Sequence, residues 1–349
     1  MRKRHDATLT ALVPKDALRR AYRRRPTHLW KLLSLWFVLL SLGAIGVALS
    51  ESSYGLVACM LAGIAAGNVV RGLGSITHDA AHGTVARHPT LLYLIGCLSW
   101  LPSLMSFTLY RSYHLDHHRI VNMPHDTDRV QTSQLTSVRT LARLLRMLIF
   151  TCAYPIYWAL RVGRHYRVLT PGRKARVWAE LAVAYGILLG LLPLMSLPVW
   201  LSFFGSMVGT GFVLASLTTM AEHYDIDFHP DPAFSSRTYG TESRFIDWIW
   251  GSSTFHIEHH GFPGIPYYNL RAFHREVLPH YPPALRRNVH PELWSLLISL
   301  LRRLWVMTDE EEQARRERDL ADIARLSRLD DFVSRRGLPQ EMTGKGTRG

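Results

Sequence analysis

Charge is scarce in this chain, acidic charge most of all. Asp, Glu, Lys and Arg make up 19% of the 349 residues, against about 25% in ordinary soluble domains, which argues against a water-soluble enzyme. Lys and Arg number 41 against 27 Asp and Glu, a net charge of +14, so nucleic acid or an anionic membrane has to be weighed as a partner. Cysteine is nearly missing. Cys59, Cys97 and Cys152 stand far apart in apolar surroundings, which excludes a disulfide framework, a zinc ribbon and an iron–sulfur site. There is no internal repeat. What the chain has in excess is apolar sequence, 48%, and eighteen histidines.

Four runs carry no Asp, Glu, Lys or Arg: Leu32 to Ser50, Ser52 to Val70, His88 to Tyr110, and Leu181 to Ala221. A bilayer crossing takes about 20 apolar residues as helix. The first two runs are each one crossing long, and the last is two, with Pro193 and Pro198 where a hairpin would turn. The third run is broken by Pro102 and flanked by histidines, so it reads as a re-entrant or interfacial segment. Four crossings then leave every Lys and Arg on one side, which the positive-inside rule makes cytoplasmic, with both termini. Topology therefore accounts for the charge, and nucleic acid is not needed as a partner. The first run begins too late to be a signal peptide. Met147 to Leu160 and Leu293 to Leu301 read as interfacial amphipathic helices. The chain divides into a basic cytosolic segment, 1–31, a membrane domain, 32–306, and a charged cytosolic tail, 307–349.

The histidines are patterned. His78-Asp-Ala-Ala-His82 places two imidazoles at i and i+4, on one face of a helix. His114-Leu-Asp-His117-His118 and His256-Ile-Glu-His259-His260 repeat an i, i+3, i+4 set. All three clusters fall just outside proposed crossings on one face, and His223, directly after the fourth crossing, sits at the same level as a ninth candidate ligand. Crowded imidazoles would repel on protonation unless a cation held them neutral. Asp79, Asp116 and Glu258, inside the clusters, are expected to accept hydrogen bonds from the non-coordinating ring nitrogens and orient them. His5, His28, His88, His125, His165, His229, His274, His280 and His290 read as ordinary surface or hydrogen-bonded residues.

Nine nitrogens exceed what one ion takes, so the number implies two ions of four or five ligands each with positions left open. Imidazole suits iron, copper and zinc alike. With no hydrolytic nucleophile evident at a membrane face, redox chemistry on a lipid is favoured over a membrane zinc hydrolase. A histidine-lined metal transporter would place ionisable residues inside its crossings, and the uncharged runs hold none.

The order of these boxes resembles the integral-membrane fatty acid desaturase superfamily over about Leu32 to Leu278. The segment His256-Ile-Glu-His259-His260-Gly-Phe-Pro-Gly-Ile-Pro-Tyr-Tyr-Asn-Leu270 is similar to that family beyond the ligands. The resemblance implies an all-α integral membrane protein with four transmembrane helices under a cytosolic helical cap carrying a histidine-rich di-metal site. It further implies two non-haem iron ions, dioxygen as co-substrate and a hydrophobic tunnel for an acyl chain. It also supports His223. The first box has three intervening residues, as in sphingolipid desaturases, hydroxylases and carotenoid oxygenases. Acyl-CoA desaturases have four, with an Asn that helps one iron through water where Thr219 stands here. No haem-binding His-Pro-Gly-Gly and no dinucleotide loop occurs, so electrons are expected from a separate ferredoxin or cytochrome b5 type of donor docking on the basic face. The resulting expectation is an oxygen-dependent desaturase of an acyl-lipid substrate in a bacterial inner membrane, with a hydroxylase or carotenoid ketolase on the same scaffold as the alternative.

Overall fold

The computed structural model describes residues 9–123, 126–128, 159–160, 162–224, 226, 229, 231–240, 243–251 and 254–306, with Ala314 and Glu317. The reading of Met147 to Leu160 falls almost wholly outside them. Among the described residues, four helices are long and apolar enough to span a bilayer: α3 (Thr27–Leu49), α4 (Gly55–Ala81), α7 (Pro171–Gly190, continued by a 3-10 turn to Leu194) and α8 (Leu197–His223). Helix α3 shows why. Leu29, Trp30, Leu33, Phe37 and Leu40 are exposed along one side, an arrangement that water would penalise and lipid does not. Its other side, Leu32, Leu35 and Leu39, is buried against α4.

The helices outrun the uncharged stretches. At 1.5 Å per residue, the 27 residues of α4 reach about 40 Å, some 10 Å more than the hydrocarbon layer is thick. The excess lifts the His78 end of α4 clear of the apolar layer, and α8, equally long, does the same for His223. Counting charges therefore places the start of α7 too late, at Leu181, and the end of α4 too early, at Val70, because a helix continues where its side chains turn polar. Gly63 and Gly67 bring α4 and α8 together. A Cβ on Gly63 would lie 2.3 Å from the Phe203 carbonyl oxygen, and one on Gly67 2.5 Å from Thr210 Cβ. This is small-residue packing of the kind that drives association in lipid.

The run broken by Pro102 is a bent pair. Helix α5 (Pro89–Trp100) runs into a 3-10 turn containing Pro102, and α6 (Phe107–His117) leaves at an angle of 98°. Leu104 takes a left-handed conformation at the bend, φ 57°. Ser106 caps α6 by accepting from Leu109 N at 3.1 Å. Glu180 of α7 then fixes the corner, accepting from Ser106 Oγ at 2.5 Å, Thr108 N at 3.0 Å, Thr108 Oγ1 at 2.5 Å and Tyr93 OH at 2.7 Å.

A cap of short elements closes one face. It includes α9 (Arg244–Trp250), α10 (His256–Gly261), α11 (Tyr267–Val277), α12 (Pro283–Arg286) and a two-residue parallel pairing of β1 (Thr238–Tyr239) with β2 (Val289–His290). The chain start joins it: α1 (Leu9–Leu12) and α2 (Lys15–Ala21) bury Leu9, Val13, Ala17 and Ala21 against Phe262, Ile265, Leu270 and Phe273. Asn269 Nδ2 donates to the carbonyls of Ala21 and Arg23, each at 2.7 Å. The basic segment thus keeps Arg19, Arg20 and Arg23 exposed while its apolar row docks on the cap. Helix α13 (Leu293–Val306) packs Leu296, Leu297 and Leu300 beside Met220 and exposes Trp294 and Ile298.

Because His82 and His114 meet, the chain between them has to return to the face it left. Single cysteines replacing Arg87 and Arg119 will both react with an impermeant thiol reagent from one side of the membrane, and one replacing Glu51 only from the other. Opposite-side labelling of Arg87 and Arg119 in sealed vesicles is the contrary result.

Candidate metal centre

All nine sequence-identified histidines come together, carried by four helix ends. His78 ends α4 with His82 directly after it, His114 and His117 end α6 with His118 at its cap, His223 is the last residue of α8, and α10 supplies His256, His259 and His260. They sort into two groups: His78, His82, His114, His118 and His259, and His117, His223, His256 and His260, the ligand atoms within each lying within 4.8 Å of one another. Each i, i+3, i+4 set is divided between the groups. The i and i+4 rings of the second box join the first group and the middle one the second, while the third box does the reverse. The groups adjoin through His118 and His260, stacked at 4.2 Å between ring centroids.

The nitrogens face each other closely. Nε2 of His82 is 2.8 Å from that of His114, and His259 Nε2 is 2.9 Å from His118 Nε2. In the second group His256 Nε2 lies 2.9 Å from His223 Nε2 and 3.0 Å from His260 Nε2. An imidazole nitrogen has one in-plane site, a proton or a lone pair, and cannot satisfy two such neighbours by hydrogen bonding. A cation between them can. Metal–nitrogen bonds of 2.0–2.1 Å at right angles put two donors about 2.9 Å apart. The donor set and its spacing fit metal ions.

Burial keeps several of the rings in the ligating form, whereas at His117 it is outweighed by the Asp126 carboxylate, which holds that ring's pKa up at about 9. Burial lowers His118, His259 and His260 well below the ordinary imidazole range, with the neighbouring histidines adding to the effect, so these rings are neutral at pH 7 with a lone pair available. Their outer nitrogens are oriented unevenly. His117 Nδ1 donates to Asp126 Oδ1 at 2.8 Å, and His223 Nδ1 to the Ser235 carbonyl at 3.2 Å, each leaving Nε2 to face inward. Asp126 is itself held by the backbone N–H groups of Asn122, 2.9 Å, and Asp128, 3.0 Å. Asn122, at φ 63°, also donates through Nδ2 to the Ser235 carbonyl at 2.9 Å, tying the second box to the segment beside His223.

Of the carboxylates inside the boxes, Asp116 and Glu258 do other work, and Asp79 does so in addition to facing His78. Asp79 stands 3.5 Å from His78 Nδ1 and more closely pairs with His28 Nε2, 2.8 Å, and Tyr267 N, 2.9 Å. Asp116 points away, to Arg119 at 3.1 Å and His165 at 3.4 Å. Glu258, fully buried, accepts from Thr238 Oγ1 at 2.7 Å, from His274 Nδ1 at 2.6 Å and from the Tyr281 hydroxyl. Burial pushes its carboxyl up, and these hydrogen bonds outweigh that and hold it below its ordinary value. It fastens the third box to the cap rather than orienting a clustered ring, since adjacent helical side chains diverge. Asp126 was missed in the sequence because it lies in a turn, outside any helical repeat. The turn-forming Asn122-Met-Pro-His-Asp126 directly after the second box was the available signal.

A cavity of about 190 Å³ opens beneath the histidines between α4 and α8. Val70, Trp100, Val208, Gly211, Phe212 and Ala215 form apolar wall, and His78, His114, His117, His223 and His256 line it from both groups. Arg71, Thr219 and Glu222 add polar surface.

Replacing Asp126 with Asn will remove the charge that fixes the His117 tautomer and weaken metal binding at the second group by roughly 10–100-fold. Asp116→Asn, whose carboxylate faces Arg119 and His165, will leave it within about twofold. Metal titration of the detergent-purified variants reads both.

The fatty acid desaturase family profile matches residues 51–291. Over 213 residues the chain is 30% identical to human sphingolipid delta(4)-desaturase/C4-monooxygenase DES2, covering 59% of this chain and 60% of that protein. It is 27% identical over 227 residues to sn-1 acyl-lipid omega-3 desaturase (ferredoxin) of Synechocystis sp., covering 58% and 63%. With the chloroplastic omega-6 fatty acid desaturase of Brassica napus it shares 28% identity over 234 residues, covering 60% and 52%. The matches span between about half and two thirds of these relatives' lengths. The matched stretch begins after α3 and takes in every clustered histidine together with the membrane helices α4, α7 and α8: this chain is a member of the fatty acid desaturase family.

Proposed function

We propose that this protein desaturates the acyl chain of a lipid, using dioxygen at a pair of iron ions held by the nine histidines. The observation that carries the reading is the apolar cavity ending on both histidine groups, which offers a place for a hydrocarbon chain against the donors. The shorter nitrogen spacings suit a five- or six-coordinate ion, iron among others, better than a tetrahedral one. Tetrahedral zinc would hold its donors about 3.3 Å apart, and the distances of 2.8–3.0 Å suit right-angled, higher coordination. Bound iron supplies the activation of dioxygen needed to oxidise an unactivated C–H bond. The chain's own residues do the rest. Val208, Phe212 and Trp100 receive the acyl chain and exclude water, α4 and α8 fix its distance from the histidines, and Asp126 and Ser235 hold two rings in the ligating tautomer.

Electrons come from a separate donor of ferredoxin or cytochrome b5 type, a reading supported by the ferredoxin in the cyanobacterial relative's name and by the exposed Arg19, Arg20, Arg23 and Arg24 near the cap. The placement is a bacterial inner membrane with the cap and both termini in the cytoplasm, supported by the confinement of basic residues to one side. Hydroxylation on the same scaffold is the second reading. The human relative's name carries both a desaturase and a monooxygenase activity, and the two outcomes differ in how the oxidised carbon is placed.

Expression in a host with defined lipids, under ¹⁸O₂, separates these readings by mass spectrometry. Desaturation will appear as a loss of two mass units from an acyl chain with no retained label, and hydroxylation as a gain of one ¹⁸O. Loss of product in His117→Ala and His260→Ala, with about two irons per chain in the parent protein, completes the expected pattern. One tightly held zinc in active protein overturns the iron reading.

A further inference from the structure

Near its start α3 carries two polar side chains into the interior, His28 and Lys31, one turn apart. They face two on α4, Ser75 and Asp79, also one turn apart, and all four are at most 2% exposed. Lys31 Nζ donates to Ser75 Oγ at 2.8 Å and lies 4.3 Å above the ring of Tyr267, while His28 Nε2 meets Asp79 Oδ2 at 2.8 Å. An i, i+3 pair thus locks onto an i, i+4 pair, and the last of these residues directly follows His78. We propose that His28 is a positioning residue of the first histidine group, acting through Asp79 to hold His78 with Nε2 turned inward, an inference that rests on the reading that these histidines hold iron.

Asp79 divides its two oxygens. Oδ2 takes both His28 Nε2 and the Tyr267 backbone N–H, 2.9 Å, and Oδ1 is left to face His78 Nδ1 at 3.5 Å. Adjacent side chains on a helix diverge, so the carboxylate turns back toward its neighbour only while the two donors on Oδ2 fix its plane. The proton that His28 supplies is located by its surroundings. Nδ1 of His28 is buried with no partner among the described residues, a place for a lone pair and not for an N–H, so the ring's proton stands on Nε2 and is donated to Asp79. Tyr267 and Tyr268 meet the ring edge-on, at 5.1 Å and 5.0 Å between centroids, and hold its orientation. Facing a fixed Oδ1, His78 keeps its own proton on Nδ1 and its lone pair on Nε2.

The second group uses the same device. Asp126 turns Oδ1 to His117 Nδ1 while the backbone N–H of Asn122 holds its Oδ2. There the anchor belongs to the same stretch of chain. In the first group it is a side chain of α3, before the residues 51–291 that match the family profile. Helix α3 therefore gives the metal centre more than attachment to the membrane.

The test uses the full chain in detergent, stripped of metal and titrated anaerobically with ferrous iron. Wild type is expected to take up two ions. His28→Leu should bind one of them at least about tenfold more weakly and leave the other, the one weakened in Asp126→Asn, within about twofold. His28→Gln, whose amide N–H can still reach Asp79, should recover most of the lost affinity, which a role in packing alone would not allow. In an Asp79→Asn background His28→Leu should cost little further, because the route through the carboxylate is already cut. If His28→Leu does not accumulate, His28→Asn, whose amide stops short of Asp79, takes its place in each comparison. Two ions bound by the substituted protein with wild-type affinity, a His28→Gln as weak as His28→Leu, or an undiminished loss in the Asp79→Asn background overturns the proposal. Failure of the underlying reading looks different: wild type then binds no iron, or His82→Ala binds two ions as wild type does, and the proposal falls with it.

Discussion

Nine imidazole nitrogens have to arrive at one level, from segments as far apart as His78 and His260, and every larger feature of the fold serves that convergence. The membrane helices are too long for the membrane. The surplus turns of α4 and α8 carry His82 and His223 out of the apolar layer, where polar rings can be surrounded by polar partners. A histidine group at the bilayer centre would lack such partners, since lipid offers unsatisfied groups nothing. Between the first and second boxes the chain cannot cross, because an odd number of crossings would put His114 on the wrong face. The Pro102 bend and the Glu180 anchor make the return.

Proximity of so many basic rings is stable only if each is kept neutral and aimed. Burial does the first for His118, His259 and His260. The second is achieved unevenly: His117 and His223 have a hydrogen-bond acceptor behind them, whereas His118 and His260 have no partner for Nδ1 among the described residues and are set by stacking on each other. Asp126 backs a clustered ring directly, whereas Asp79 and Glu258 chiefly tie elements together. Asp79 ties α4 to α3 and to the start of α11 through His28 and Tyr267, and Glu258 ties α10 to β1 and α11 through Thr238 and His274. Each is satisfied by several donors, as a buried negative charge requires, and Asp79 also faces His78 Nδ1 at 3.5 Å. The rigidity of the site is therefore distributed over the cap, including α1 and α2, which lie outside the stretch shared with the family and still bury Leu9 and Ala17 against it.

The cavity shows the same economy in its walls. Gly63 and Gly67 let α4 and α8 close together in the apolar layer, and nearer the histidines the pair encloses space lined by Val70, Gly211 and Ala215. One helix pair thus supplies both the tight packing that stands in for a water-driven core in lipid and the chamber that leads to the donors.

What the amino-acid order determined by itself is whatever depends on near neighbours. The i, i+3, i+4 spacing puts three imidazoles on one turn of helix, the apolar runs fix the number of crossings, Pro193 and Pro198 turn the hairpin, and Pro102 breaks the segment that must not cross. These follow from helix geometry and hydration over a few residues. Only the tertiary structure decided which ring joins which group, because His118 meets His259 across 141 positions of chain and no local repeat encodes that pairing. It likewise decided that Asp126 rather than Asp116 stands behind a clustered histidine and that Glu258 faces His274. A carboxylate's role is set by where packing aims it, and adjacent residues on a helix are aimed apart.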